Sequence, residues 1–186
     1  LAMVSRIKEM DVRPIFLNAN QGLTTVDEAM ELVNAVGDRL LAMEQPFAIE
    51  RTDEQKALQE RVKVCVYGDE SIHDRFQLDR SVKIFKGVNI KLMKCGGLDK
   101  AKALADRAVE LGMRVMLGSM SESSLGCTAM AHLAGQADIV DLDGPWLIKN
   151  DPFEGINFRN GRITLPKGCG IGVTLKTDLE FNSICT

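Results

Sequence analysis

The sequence predicts an α/β fold, an incomplete (β/α) barrel with about six of the eight strands that a closed barrel contains. Short apolar segments alternate with segments of helical pattern, and the apolar segments start 22 to 26 residues apart. Charged residues follow several of these segments directly. Because active sites of α/β barrels lie at the C-terminal ends of the strands, we expect these charges to meet at one rim. An open, doubly wound sheet is the competing arrangement.

The predicted strands are short, rich in aliphatic and β-branched residues, and largely without polar alternation. Strands that are covered on both faces have this composition, as in a parallel sheet. They cover residues 14–17, 40–43, 62–66, 88–92, 114–117 and 139–142. The connections between them are long enough for the crossover helices that parallel strands require.

The helices between the strands carry start and stop signals. Capping boxes, in which a threonine hydroxyl and a later side chain satisfy free N–H groups, are predicted to begin helices at Thr25 and Thr52. The segment 98–111 repeats Ala and Leu at helical spacing and ends before Gly112, which predicts a helix with a glycine at its C-terminal cap. Residues 124–133 form a similarly apolar predicted helix.

The C-terminal part of the chain departs from this alternation. Two short apolar segments flank Asn160 and Gly161, a combination that predicts a β-hairpin. We therefore expect residues 1–150 to form the barrel portion that carries the active-site rim. Residues 151–186 are expected to form a hairpin and a glycine-rich tail that packs on the barrel or on a capping domain.

Composition narrows the class of protein. The chain has 186 residues, of which 45% are hydrophobic and 26% charged, and its net charge is −3. This charge gives no basic surface for nucleic acid or an anionic membrane, and no apolar segment approaches the roughly 18 residues of a membrane span. The five cysteines are odd in number and form no C-x-x-C pair, which favours a reducing compartment. We expect a cytoplasmic protein without nucleic-acid or membrane partners.

Two carboxylates stand at the ends of neighbouring predicted strands. Glu44 and Asp69 follow successive apolar segments, so they should be neighbours around the rim. Carboxylate oxygens suit Mg²⁺ rather than zinc, and Asn18, at the end of the preceding strand, offers a third oxygen ligand. The alternative is that the two acids cap helices or pair with Arg and Lys.

Six segments together carry a family resemblance. They are N-A-N-Q-G (18–22), E-Q-P (44–46), G-D-E-S (68–71), N-I-K-L-M-K-C-G-G (89–97), G-S-M-S-E-S-S (118–124) and D-L-D-G-P (141–145). In this order and spacing they resemble the enolase superfamily, and within it the two-lysine branch of muconate-cycloisomerase-type and dipeptide epimerase enzymes. The resemblance implies a modified (β/α) barrel with an N-terminal α+β capping domain.

The resemblance also implies roles for single residues. Members of the superfamily remove the α-proton of a carboxylate substrate, and Mg²⁺ stabilises the resulting enediolate. Glu44 and Asp69 match the second and third metal ligands, and Asn18 occupies the position of the first, which is normally Asp. Lys91 matches an acid/base lysine, a role for which its pKa should be tuned toward neutrality. The alternative for Lys91 is a solvated or ion-paired lysine, whereas Lys94 is expected to support the site from behind.

Three further residues are expected to bind the substrate. Asp141 and Asp143 resemble the Asp-x-Asp of dipeptide epimerases, whose carboxylates hold the α-ammonium group of the substrate, and Ser119 is a further candidate contact. Two acids at positions i and i+2 can bracket a cation by charge-assisted hydrogen bonds. A structural turn at Asp143 is the alternative for that residue.

The leading hypothesis is therefore a Mg²⁺-dependent dipeptide epimerase. The alternatives are a cycloisomerase or dehydratase of the same branch, of the muconate or o-succinylbenzoate type, and a catalytically inactive truncated remnant. The third alternative arises because Asn18 weakens the metal site and because the Lys-x-Lys of the opposite substrate face is expected upstream of Leu1. Association into a homo-oligomer is also expected, since an incomplete barrel exposes strand edges.

Overall fold

A computed structural model describes residues 1–177 of the chain. Its centre is one sheet of six parallel strands whose spatial order follows the chain. The strands are β1 (Ile15–Asn18), β2 (Leu40–Glu44), β3 (Cys65–Gly68), β4 (Gly87–Lys91), β5 (Arg114–Gly118) and β6 (Ile139–Asp141). A doubly wound sheet reverses its strand order at a switch point, and this sheet does not. The predicted incomplete (β/α) barrel is thus confirmed.

Within residues 1–177, seven α-helices accompany the sheet. They are α1 (Ala2–Met10), α2 (Val26–Val36), α3 (Thr52–Arg61), α4 (Arg75–Ser81), α5 (Leu92–Cys95), α6 (Leu98–Glu110) and α7 (Ser124–Ala131). The apolar residues of α2 to α7 pack with one face of the sheet into a large buried core, whereas Val4 of α1 belongs to a smaller cluster with Val36 and Leu40. No helix within residues 1–177 is long and apolar enough to cross a membrane.

One of the two predicted capping boxes is present. At the start of α2, the Thr25 hydroxyl accepts from the backbone N–H of Glu28, and the Glu28 carboxylate accepts in return. The prediction for Thr52 is wrong, because Thr52 is the first residue of α3 and Arg51 is the N-cap, without a side-chain cap hydrogen bond. The Gln55 side chain, which should have closed that box, donates instead to the Phe47 carbonyl at 2.7 Å.

The inner face of the sheet has an apolar layer below its rim. Side chains of a strand alternate between its two faces, and the inward positions of β1, β2, β3, β5 and β6 supply a separate cluster. Its members are Phe16, Ala42, Cys65, Tyr67, Met116 and Ile139. The next inward positions along these strands stand at the C-terminal rim, so the packing of this layer supports whatever the rim carries.

The C-terminal segment forms two small antiparallel ribbons. The predicted hairpin is confirmed: β8 (Asn157–Arg159) pairs with β9 (Arg162–Thr164) across a turn with positive φ at Asn160 and Gly161. A second ribbon, which the sequence did not indicate, joins β7 (Phe153–Glu154) and β10 (Thr174–Leu175).

This segment contacts the barrel portion through α7. The Asp151 carboxylate accepts from the backbone N–H of Ser124 at 2.8 Å, and the Thr128 hydroxyl accepts from the backbone N–H of Ile156 at 2.8 Å. Packing against a capping domain stays a prediction, and residues 178–186 of the predicted tail lie outside the described residues.

Candidate active site

The C-terminal ends of the strands bring the predicted residues to one rim. Pairing aligns Asn18 of β1 with Glu44 of β2, and it aligns Lys91 of β4 with Gly118 of β5, which in turn pairs with Asp141 of β6. The loop after β3 supplies Asp69. At the C-terminal ends of the strands, polar groups thus come directly after the inner apolar layer.

A buried network joins Asp69 to two lysines. Lys91 Nζ donates to Asp69 Oδ2 at 2.6 Å, and Lys94 Nζ pairs with Asp69 Oδ1. Lys94 also donates to the carbonyls of Asn89, at 2.9 Å, and Ile72, at 3.3 Å. All three charged side chains are nearly or largely buried, with 3%, 11% and 6% of the Asp69, Lys91 and Lys94 side chains exposed. Lys94 therefore supports Asp69 from behind, as the sequence indicated.

Opposing effects determine the protonation of these groups. Burial alone would raise the pKa of Asp69, but Lys94 and Lys91 outweigh it and hold that pKa below its usual range. Burial lowers the pKa of Lys94, and the attraction of Asp69 offsets this only in part. The ionised form of Asp69 is therefore favoured by the two lysines.

The pKa of Lys91 differs from the one that the sequence led us to expect. Burial lowers the pKa of Lys91, but the hydrogen bond and charge of Asp69 outweigh it and raise the pKa above the ordinary value. The expectation of a lysine tuned toward neutrality is wrong for this arrangement. As found here, Lys91 carries a proton, which its contact with Asp69 retains.

Glu44 is a buried carboxyl beside a second acid. It is 1% exposed, and its Oε1 accepts from Asn89 Nδ2 at 2.8 Å. Burial and the neighbouring charge of Asp69 raise the pKa of Glu44 to about 7, although Asn89 and Lys91 favour the ionised form. A cation between the two carboxyl groups would remove this mutual repulsion.

Gln45 is a site residue that sequence reasoning missed. It is fully buried, with a positive φ of 33°. Its Oε1 accepts from the backbone N–H groups of Asp69, at 2.9 Å, and Ser71, at 3.2 Å, while its Nε2 donates to the Ser71 hydroxyl at 2.8 Å. The loop that carries Asp69 is thereby fixed to the end of β2. The E-Q-P segment was the available signal, but its glutamine had no assigned role.

Asn18 lies next to Glu44 in the sheet but makes a local contact. Its Oδ1 accepts from the backbone N–H of Asn20 at 3.0 Å, which closes the turn after β1. An amide oxygen has two lone pairs, so this bond leaves one available to a ligand. Its role as a metal ligand stays a prediction.

The β6 end of the rim is more open. Asp141 is exposed in part, and burial together with the nearby charge of Asp143 raises its pKa, which Lys91 opposes. Ser119 Oγ donates to the Asp141 carbonyl at 3.3 Å and accepts from the Gly144 N–H at 3.1 Å. Asp143 is the N-cap of a 3₁₀ turn, Gly144–Leu147, which agrees with the alternative prediction of a structural turn at this residue. Within residues 1–177, no ion pair joins Asp141 or Asp143 to a lysine or arginine side chain.

Glu122, in the loop after β5, is a further acid close to Lys91. Glu122 Oε1 accepts from the Met120 N–H at 3.1 Å, and burial raises its pKa, while Lys91 and the Met120 hydrogen bond act in the opposite direction. Acids thus act on Lys91 from the ends of β2 and β6 and from the loops after β3 and β5.

The donor set fits a magnesium ion. Within residues 1–177, no cluster of three His, Cys, Asp or Glu side chains is placed to hold a metal. Two carboxyl groups, Glu44 and Asp69, adjoin each other, and the Asn18 amide is the next oxygen along the sheet. Mg²⁺ commonly uses one or two protein carboxylates and keeps several waters, so these donor types suit it. In this structure both Asp69 oxygens are paired with lysines.

The fold and site define the class: a (β/α)-barrel protein whose rim holds oxygen donors beside a proton-carrying lysine. The chain belongs to the enolase C-terminal domain-like family, whose model matches residues 1–179.

Individual relatives agree with this family. The chain is 36% identical over 172 residues to the L-Ala-D/L-Glu epimerase of Bacteroides thetaiotaomicron, covering 92% of this chain and 45% of the relative. The substrate-liganded L-Ala-D/L-Glu epimerase of Bacillus subtilis matches 86% of this chain and 47% of its own, with a TM-score of 0.77 and 30% identity.

A third similar protein is the dipeptide epimerase of Cytophaga hutchinsonii, complexed with Mg and D-Ala-L-Val. It has a TM-score of 0.79 and 26% identity, over 89% of this chain and 47% of its own. The chain therefore spans about half the length of the relatives it matches.

Proposed function

We propose that this chain carries the metal-binding and proton-transfer rim of a Mg²⁺-dependent epimerase that acts on dipeptides. One observation supports it most directly: Lys91, bonded to Asp69 at 2.6 Å, lies beside Glu44 on one side and in register with Gly118 and Asp141 on the other. The names of the similar proteins, dipeptide epimerases among them, supply the reaction and substrate class.

Glu44, Asp69 and the amide of Asn18 would hold the magnesium ion. When bound, Mg²⁺ would offset the negative charge that develops on a substrate carboxylate as the α-proton leaves. Gln45 and Lys94 keep Asp69 in place through its backbone N–H and its Oδ1 respectively. Asp69 is thereby oriented before any ligand arrives, so little reorganisation is needed on binding.

Lys91 would move the proton on one face of the substrate carbon. Its raised pKa means that Nζ starts protonated, so its first role in this arrangement is to donate. Removal of the α-proton on the other face needs a second base. The Lys-x-Lys that the family resemblance implies on a preceding strand stays a prediction for that role.

Asp141 and Asp143 would bind the α-ammonium group of the dipeptide. The two carboxylates repel each other, and the raised pKa of Asp141 reflects burial and this repulsion by Asp143. A substrate ammonium would offset both effects by charge-assisted hydrogen bonds. A free amino group is thus the substrate feature that these residues select.

Because epimerisation also needs the base of the other face, the test uses a protein that includes this chain and the strand expected to carry the Lys-x-Lys. The measurement is chiral analysis of products after incubation with Mg²⁺. We expect L-Ala-L-Glu to be epimerised at its Glu residue and N-acetyl-L-Ala-L-Glu, which lacks the ammonium group, to react at least tenfold more slowly. Equal turnover of the two would contradict the ammonium-binding role and favour another reaction of the same branch. No turnover of either, with Mg²⁺ bound, would favour an inactive rim.

A further inference from the structure

The inner apolar layer of the sheet contains one polar exception, on β4. The positions two residues before the rim are Phe16 on β1, Ala42 on β2, Met116 on β5 and Ile139 on β6, and all four belong to the apolar cluster. On β4 the corresponding residue is Asn89, two positions before Lys91, and it is 1% exposed.

Asn89 contacts both carboxyl groups of the rim, one directly and one through a lysine. Its Nδ2 donates to Glu44 Oε1 at 2.8 Å. Its backbone carbonyl accepts from Lys94 Nζ at 2.9 Å, and Lys94 pairs with Asp69. One β4 residue therefore joins the ends of β2 and β3.

Gly118 on β5 provides the space that the Asn89 side chain occupies. A Cβ placed on Gly118 would lie 2.5 Å from Asn89 Oδ1 and 2.8 Å from its Nδ2. Contacts this short cannot persist, so an added Cβ would displace the Asn89 amide, which donates to Glu44. The backbone angles of Gly118 are not of the kind that requires glycine, so the requirement here is space.

Stability alone does not account for an asparagine at this position. Asn89 Oδ1 is buried and has no hydrogen-bond partner within residues 1–177. An unsatisfied buried polar atom costs about 1 to 3 kcal/mol, whereas an apolar side chain of similar shape would avoid that cost. The amide is therefore placed for the contact that it does make, with Glu44.

We propose that Asn89 is a positioning residue that holds the Glu44 carboxylate in the orientation for cation binding, with the glycine at 118 as its steric counterpart. The identity of the cation as Mg²⁺ rests on the proposed function. Partners that orient a metal ligand commonly contribute 10- to 100-fold to metal affinity.

The first test compares Asn89→Leu and Asn89→Ala with Gln59→Leu. Gln59 is a matched buried amide that ties α3 to β3 through Val64 and Val66, outside the rim. By isothermal titration of the full chain with Mg²⁺, we expect both Asn89 variants to bind about 10- to 100-fold more weakly. Gln59→Leu should lower the melting temperature but keep the wild-type affinity. Wild-type affinity in the Asn89 variants would overturn the proposal.

The second test needs no metal. In crystal structures of the metal-free Asn89→Ala and Gly118→Ala variants, we expect the Glu44 carboxylate to leave its wild-type position. An unchanged Glu44 in both variants would overturn the positioning role. If the wild-type chain binds no Mg²⁺, the proposed function fails, and this structural result still decides the role of Asn89.

Discussion

The two sides of the rim differ in how completely they are assembled. On the β2–β4 side, Glu44 and Asp69 are buried, Lys91 and Lys94 pair with Asp69, and Glu44 accepts a hydrogen bond from Asn89. On the β6 side, Asp141 is exposed in part and has no basic partner among residues 1–177. The acids of the first side therefore have partners within the protein, whereas the second side presents unpaired negative charge.

The physical reason lies in the cost of burial. Charges removed from water must be paired and hydrogen-bonded, so the buried side has to be satisfied within the protein. Charges on the exposed side are solvated, so they need no partner within the protein and stay free to bind a cationic ligand. The difference indicates that the chain orients its metal and proton groups in advance, and that substrate recognition depends on charge left free.

Lys91→Met should have the largest effect on activity. General acid–base groups typically contribute 10²- to 10⁴-fold to rate, so we expect about a 1,000-fold loss of epimerisation of L-Ala-L-Glu. The matched control is Lys86→Met, an exposed lysine before β4, which should retain the wild-type rate of epimerisation. Epimerisation at the wild-type rate in Lys91→Met would contradict the proton-transfer role of Lys91.

Asp69→Asn should have the largest effect on stability. It leaves Lys91 and Lys94 buried without their countercharge, which typically costs about 3 kcal/mol or more. Asp79→Asn breaks exposed pairs with Arg75 and Arg107 and should cost less than about 1 kcal/mol. Urea unfolding of both variants measures the difference, and equal losses would contradict the contrast between the two environments.

Stability without metal should fall as pH rises from about 4.5 to about 7. The pKa of Glu44 is raised from its ordinary value of 4.5 to about 7, so the unfolded chain releases this proton first. The stabilising contribution is complete below the unfolded pKa and is lost through the folded pKa, amounting to about 3 kcal/mol. Unfolding at a series of pH values measures it.

Glu44→Gln is the control for this pH effect. The variant cannot titrate at this position, so the decrease between pH 4.5 and 7 should become much smaller. The raised pKa values of Glu122 and Asp141 account for the part that remains. Saturating Mg²⁺ should also suppress the decrease in the wild type, because the metal favours the ionised carboxylate. A wild-type profile that rises through this range would contradict the assignment.

Asp141→Asn should have a smaller and more selective effect. We expect the KM for L-Ala-L-Glu to rise about tenfold, since one charged partner of the ammonium group is lost. Mg²⁺ affinity and melting temperature should stay near the wild-type values, because Asp141 is outside the buried network. Loss of metal affinity in this variant would mean that the two sides of the rim are not separable.

Much of the rim could be predicted from sequence because strand ends are marked locally. An apolar segment predicts each strand, and the charged residue after it is predicted to stand at the C-terminal end of that strand. The structure places all four such residues at the same edge of the sheet: Glu44, Asp69, Lys91 and Asp141. Their roles stay proposals. The α2 cap was similarly local and is present.

The other features of the site depend on interatomic distances that the sequence does not give. The raised pKa of Lys91 follows from a 2.6 Å contact with Asp69 that outweighs burial, and no spacing rule gives the sign of that balance. The role of Gln45 arises from a loop folding back over it. Thr52 matched a capping pattern, but the Gln55 side chain had a better partner in the Phe47 carbonyl.

The most direct measurement uses a protein that includes this chain and the strand expected to carry the second base. It is deuterium uptake at the Glu α-carbon of L-Ala-L-Glu in D₂O, followed by proton NMR with saturating Mg²⁺ and again after EDTA. The account predicts uptake with Mg²⁺ and its loss on chelation. Uptake that needs no metal, or no uptake with Mg²⁺ bound, would contradict a rim in which Glu44, Asp69 and Lys91 act together.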